Sequence, residues 1–111
     1  MRGDAYEQRN ADLRRWREQF GDTTRLADVR AGQRTACVGL VTSMRLVPGR
    51  RFEVTIEDGS GALTGMWPTR GDAPVAELGT AVRLRGTATH RDDGVLAMEE
   101  PAVEDVDQPY D

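Results

Sequence analysis

An all-β domain, a small closed barrel of five strands preceded by one N-terminal amphipathic α-helix, is the fold class this sequence predicts. Three observations predict it. Phe52, Val54 and Ile56 alternate with Glu53, Thr55 and Glu57, the two-residue period of a strand buried on one face. Asp58-Gly59-Ser60-Gly61 follows at once, and Leu63 and Trp67 resume the alternation, so the chain turns back as a hairpin whose glycines allow positive φ. A long apolar stretch from about Thr35 to Leu46 contains Gly39, and a glycine inside a strand marks a bend or bulge. Such a bend lets one long strand pair on both sides, which a closed barrel requires.

The other elements follow in chain order. Residues 4–20 read as a helix, with Asp4 able to cap its start and Gly21 to end it. Tyr6, Leu13, Trp16 and Phe20 fall near one face, with Arg9, Arg14, Arg15, Arg17 and Glu18 around the remainder. That apolar stripe needs a surface to cover it: one end of the barrel or, through Tyr6, Trp16 and Phe20, a partner protein or a second copy. Residues 22–25 connect to Leu26, Val29 and an Ala31-Gly32 turn. Val47-Pro48-Gly49-Arg50 is a turn ahead of the hairpin. Residues 68–79 contain two prolines and hold at most one helical turn. Ala81 to Thr89 forms a fourth strand, with Val82 and Leu84 on one face and Arg83 and Arg85 on the other. Arg91-Asp92-Asp93-Gly94 is a turn, and Val95 to Met98 opens a fifth strand that runs into Glu99-Glu100-Pro101. The acidic end should fray from about Asp105. The expected organisation is a helix and connector over 1–25, a barrel over 26–106 and an acidic tail over 107–111. Five strands, a long bent first strand and an irregular connection between the third and fourth describe an OB-fold. An SH3-like barrel is the alternative, but it explains the long first strand less well.

At 111 residues the chain is one domain and can bury roughly two-thirds of its unfolded surface. Aromatic residues are few, so valine, leucine and alanine must fill the interior. Lysine is absent and all 15 basic residues are arginine, which points to coding bias in a GC-rich genome; arginine also suits phosphate recognition through its planar fork of donors. The net charge of −4 is unevenly spread: residues 1–25 carry +1, residues 26–91 carry +3 and residues 92–111 carry −8. A mildly basic body with an acidic tail is compatible with nucleic-acid binding. Cys37 is alone, which excludes an internal disulfide and suits a buried strand residue in a reducing compartment. No apolar run approaches the ~20 residues of a membrane helix, and the amino terminus lacks a signal-peptide core. A cytoplasmic, soluble protein with no membrane partner is expected.

The run Cys37-Val38-Gly39-Leu40-Val41-Thr42-Ser43-Met44-Arg45, then Asp58-Gly59-Ser60-Gly61 and Leu63, Trp67, Leu78-Gly79, Val82, Leu84, Gly86, Gly94 and Pro101, resembles the small single-domain OB-fold nucleic-acid-binding proteins of actinobacteria. The spacing is also similar to anticodon-binding-type OB domains and to the wedge domain of a branched-DNA helicase. The resemblance covers roughly residues 26–106 and implies a barrel that binds nucleic acid. Two positions depart from the group. Gly71 stands where a second arginine would follow Arg70, and Glu99-Glu100-Pro101-Ala102-Val103 is acidic where the group carries an asparagine, a basic residue and a tyrosine.

An OB-fold binds its ligand on the outward face of the second and third strands and the flanking loops. There Arg45, Arg50 and Arg51 cluster at the first loop, Arg70 lies beyond the third strand and Arg91 sits on the turn before the fifth. Thr55, Thr64 and Met66 should point outward between them. Trp67 and Phe52 have core parity, which leaves the face without aromatic platforms for bases. Glu53 and Glu57 share the outer face and should repel phosphate. Four arginines each neutralising one phosphate would give a log–log salt slope of about −3. His90 is the sole histidine and lacks the partners a metal site needs. Gly59-Ser60-Gly61 is too short for a phosphate loop, and neither Ser43 nor Ser60 has a nearby base. No catalytic residue, metal or cofactor is expected. The reading is single-stranded DNA or RNA bound with little sequence specificity. The alternative is a protein-interaction scaffold using the aromatic helix or the acidic carboxyl-terminal strand.

Overall fold

The computed structural model describes residues 2–68, 76–91 and 93–109, with side chains from residue 5 onward. Helix α1 (Arg2–Arg17) and a short 3-10 turn (Leu26–Asp28) precede β1 (Arg34–Val47), β2 (Arg51–Glu57), β3 (Ala62–Pro68), β4 (Ala81–His90), β5 (Leu96–Glu99) and β6 (Ala102–Asp105). The sheet order is β1-β2-β3-β5-β4-β6, and β1 also pairs with β4, which closes the barrel. Strand β5 answers to the predicted fifth strand and β6 continues it beyond Pro101, both antiparallel to β4. The break falls at Glu100, whose φ is 47°, and at Pro101, which has no N–H for the ladder. The result is the predicted five-stranded OB barrel with an amino-terminal helix.

Strand β1 serves both neighbours, pairing residues 34–40 with β4 and residues 40–47 with β2. Its register slips between Val41 and Ser43, so the bulge lies beyond Gly39. Gly39 has a different task. A Cβ there would sit 2.8 Å from Ile56 Cβ and 3.0 Å from the Glu57 backbone, so the close crossing of β1 and β2 excludes a side chain.

The barrel interior holds Cys37, Val41, Val54, Ile56, Leu63, Trp67, Val82, Leu84, Ala88 and Met98, closed by Leu26 and Val29. The core parity expected for Trp67 is observed, and its Nε1 donates to the Pro101 carbonyl at 3.3 Å. Burial, with a smaller contribution from the Asp58 charge, pushes the Cys37 thiol up to about 12.

Helix α1 differs from expectation at both ends. Asp4 lies within it, and it stops at Arg17, where Gln19 and Phe20 amides turn back onto the Trp16 and Arg17 carbonyls. Leu13 and Trp16 pack on Val38 and Ala81 with Phe20, Leu40 and Val106 around them, a cluster on the outside of the barrel wall. The Trp16 Nε1 donates to the Asp107 carbonyl at 2.8 Å, and the Val106 amide donates to Ala81. The chain is therefore held past Asp105, the point at which fraying was expected.

The β2–β3 turn docks under the same helix. Gly59 has φ +85°, and a Cβ there would collide with the Asn10 carbonyl. Asp58 is fully buried. Its Oδ1 accepts from the Ser60 amide at 2.8 Å, the Ser60 hydroxyl at 2.6 Å and the Gly61 amide at 3.2 Å, while Oδ2 accepts from the Leu26 amide at 2.9 Å. One carboxylate thus ties the hairpin to the entry of the barrel.

Candidate nucleic-acid interface

Pairing sets two transverse rows on the outward face. Ser43, Thr55, Thr64, Ala97 and Thr89 form one; Arg45, Glu53, Met66 and Glu99 form the other. The parallel β3–β5 pair brings Glu99 beside Met66, which strand periodicity alone does not reveal. No aromatic side chain occupies either row.

The predicted site residues divide into groups. Arg45 and Arg50 are exposed and make no ion pair among the described residues. Arg51 is partly exposed and its Nε donates to Glu53. Thr55 and Met66 are half-buried, and the Thr55 and Thr64 hydroxyls lie 2.9 Å apart. Thr64 shares the outward row as expected but is only 4% exposed. Arg70 lies outside the described residues.

Arg91, expected to meet phosphate, has all three guanidinium nitrogens engaged: Nη1 donates to Glu53 at 3.0 Å, Nη2 to Asp93 at 2.8 Å and Nε to Asp93 at 3.3 Å. Its side chain is 18% exposed. The pair with Glu53 joins the β4–β5 turn to β2, and Thr64 and Ala97 on the intervening strands are buried.

Glu53 was expected to face phosphate as an exposed repulsive charge, and it does not. It is 5% exposed beneath Arg51 and Arg91. Burial opposes its charge, but the Arg51 hydrogen bond and the neighbouring Arg91 outweigh that cost and hold the carboxyl below its ordinary range. Arg91 is raised, chiefly through Asp93, and Asp93 is lowered, chiefly through Arg91. Glu57 is likewise paired, with Arg9 at 3.0 Å. Neither glutamate of β2 presents an unpaired charge.

A pocket of about 340 Å³ opens on this face, lined by Arg51, Met66, Thr89, His90, Arg91, Asp93 and Glu99. A second, lined by Arg50, Arg51, Met66, Trp67, Pro68, Glu99 and Glu100, shares Arg51, Met66 and Glu99 with it. Glu99, Thr89 and His90 were not among the predicted site residues. His90 was expected in a loop, but it ends β4, with Nδ1 3.1 Å from the Gly94 carbonyl. Among the described residues no group of three His, Cys, Asp or Glu side chains is placed to hold a metal, and no helix is long and apolar enough to cross a membrane.

The helix face offers less than its sequence suggested. Of Tyr6, Trp16 and Phe20, Trp16 is 4% exposed because it packs on the barrel, and Phe20 is half-buried edge-on to it at 5.2 Å. Tyr6 alone of the three is well exposed.

No family model and no curated protein sequence matches the chain. Solved structures do. The chain is similar to the OB domain of MM0293 from Methanosarcina mazei, with 16% identity and a TM-score of 0.63 over 78% of this chain and 84% of that one. It is similar to an OBody bound to hen egg-white lysozyme, with 18% identity and a TM-score of 0.61 over 78% and 95%. It is also similar to a chain of a Replication Protein A heterotrimer bound to single-stranded DNA, with 18% identity and a TM-score of 0.55 over 75% and 64%, so it spans under two-thirds of that chain. These likenesses show that the fold is an OB-fold.

Proposed function

We propose that this OB domain binds single-stranded DNA or RNA with modest, salt-sensitive affinity, as a binding protein rather than an enzyme. The observation that carries the reading is that Arg50 and Arg51 line an open pocket with Met66 on the β2–β3 face, while Arg45, exposed, stands in register with Glu53 in the same outward row. Thr55 and the paired Thr64 belong to the same face, and Arg70 is proposed to extend the cationic edge. Because Arg91 is held by Glu53 and Asp93, four of the five arginines remain for phosphate, Arg45, Arg50, Arg51 and the proposed Arg70, and the expected log–log salt slope is about −3 on a single strand. The similarity to a Replication Protein A chain in a complex with single-stranded DNA supports the reading by fold. Membership of the actinobacterial single-domain group and a cytoplasmic location are part of the same proposal.

Fluorescence anisotropy with a labelled thymidine dodecamer and its uridine counterpart tests it. Binding at low salt, weakened at least tenfold in the Arg45→Glu/Arg50→Glu variant, is expected. Both residues are exposed, so the fold should survive the change. Absence of binding at low salt, or indifference to the charge reversal, would sink the proposal. The OBody bound to lysozyme favours a second reading, in which a partner protein occupies the barrel surface. Anisotropy that stays flat while Tyr6 and the β6 edge bind a protein would favour it.

A further inference from the structure

We infer that the pocket between β3, β5 and the β4–β5 turn takes a nucleobase, and that Glu99 makes it prefer a base presenting adjacent hydrogen-bond donors, guanine above all. This deepens the proposed function and rests on it. Of the pocket's two arginines, Arg91 has every guanidinium nitrogen engaged by Glu53 and Asp93, and Arg51 has its Nε on Glu53. The carboxylates of Glu53 and Asp93 are occupied by the same bonds. Glu99 differs. It is exposed, lines both adjoining pockets, and accepts no side-chain hydrogen bond and makes no ion pair among the described residues.

The carboxylate left open in the pocket lining, that of Glu99, is therefore an acceptor. An ionised carboxylate accepts only, through two oxygens set side by side. A phosphate would be repelled, whereas a base edge carrying two neighbouring donors would be held. The guanine Watson–Crick edge offers N1–H beside its N2 amino group. Adenine and cytosine offer one amino group next to an acceptor, and thymine and uracil offer one N–H between two carbonyls. Single-stranded ligands expose these edges, and Met66 supplies an apolar, polarizable floor for the ring. The terminal nitrogens of Arg51 at the same mouth meet the backbone phosphate. Glu99, one of two acidic residues in the run that departs from the resembled group, is on this reading a base reader.

The test compares a labelled thymidine dodecamer with versions carrying one central guanine or one central hypoxanthine, which lacks the N2 amino group, using the full chain and its Glu99→Gln variant. The exposed position makes this change tolerable to the fold, and circular dichroism checks that. Preference for guanine over thymine by about tenfold, partly lost with hypoxanthine, is expected. Glu99→Gln should abolish the preference while keeping or strengthening affinity for the all-thymidine strand. Equal affinity for all three strands, or a guanine preference that survives Glu99→Gln, would overturn the inference and leave the proposed function standing. Failure to bind any strand would overturn both.

Discussion

Two buried carboxylates, Asp58 and Glu53, stand five residues apart on the same hairpin and are neutralised in opposite ways. Asp58 is 0% exposed and bonded by backbone amides of Leu26, Ser60 and Gly61 and by the Ser60 hydroxyl. Glu53 is 5% exposed and bonded by two arginine side chains, one of them 43% exposed itself. Backbone donors are fixed by the fold and cannot leave without unfolding it. Arginines can swing to another anion. The Asp58 end of the hairpin is thus architecture, and the Glu53 end is a surface whose charge can be redistributed when a ligand arrives.

Substitution should separate the two most sharply at Asp58. Asp58→Ala leaves the buried Leu26 amide and the Ser60 and Gly61 amides without their acceptor, and each lost bond to a charged group is worth about 1.5–3 kcal/mol. A loss of at least about 3 kcal/mol in urea denaturation is expected. A loss below about 1 kcal/mol would show the turn to be held by the helix contacts alone.

Glu53→Gln should cost less, about 1 kcal/mol, because Arg51 can rehydrate. Its signature is the pH dependence. A carboxyl held below its ordinary range stabilises the folded state above the unfolded value of about 4.3, and that contribution disappears as pH falls through the lower folded value. The stability gap between wild type and Glu53→Gln should therefore be constant near neutrality and close below about pH 4. A gap that persists into acid would mean that Gln disturbs packing rather than charge.

Asp93→Asn is the mildest probe. Asn can still accept from the Val95 amide, as Asp93 does at 3.1 Å, but it no longer holds Arg91 by charge. Stability should change by under about 0.5 kcal/mol. Single-strand affinity should rise severalfold, with the salt slope steepening by about 0.7 as one more phosphate is neutralised. An unchanged slope would show that Arg91 stays on Glu53 in the complex.

The contrast explains which features were legible in the sequence. The strands, the hairpin and the core parity of Trp67 follow from local alternation and turn chemistry, so they could be read directly. Parity also placed Glu53 on the outer face correctly, but burial there depends on Arg91, a residue 38 positions away that reaches it only once β5 lies between β3 and β4. The same parallel pairing sets Glu99 beside Met66. Thr64 is only 4% exposed, on a β3 that is flanked by β2 and by β5, the second of which pairs with it from far along the chain. Long-range pairing decides these positions, and a single sequence carries no period that reports it. Trp16 fell on the predicted apolar stripe, but only packing on Val38 and Ala81 shows that the stripe is consumed by the barrel itself.

The central claim is that the arginine edge of the β2–β3 face holds a single strand. Amide and arginine Nε resonances of nitrogen-15-labelled protein, followed while a guanine-containing dodecamer is added at low salt, test it most directly. Progressive shifts at Arg45, Arg50, Arg51, Thr55, Met66 and His90, with Asp58 and Trp16 unmoved, are the predicted result. Spectra that do not change, or shifts confined to Tyr6 and the β6 edge, would contradict it.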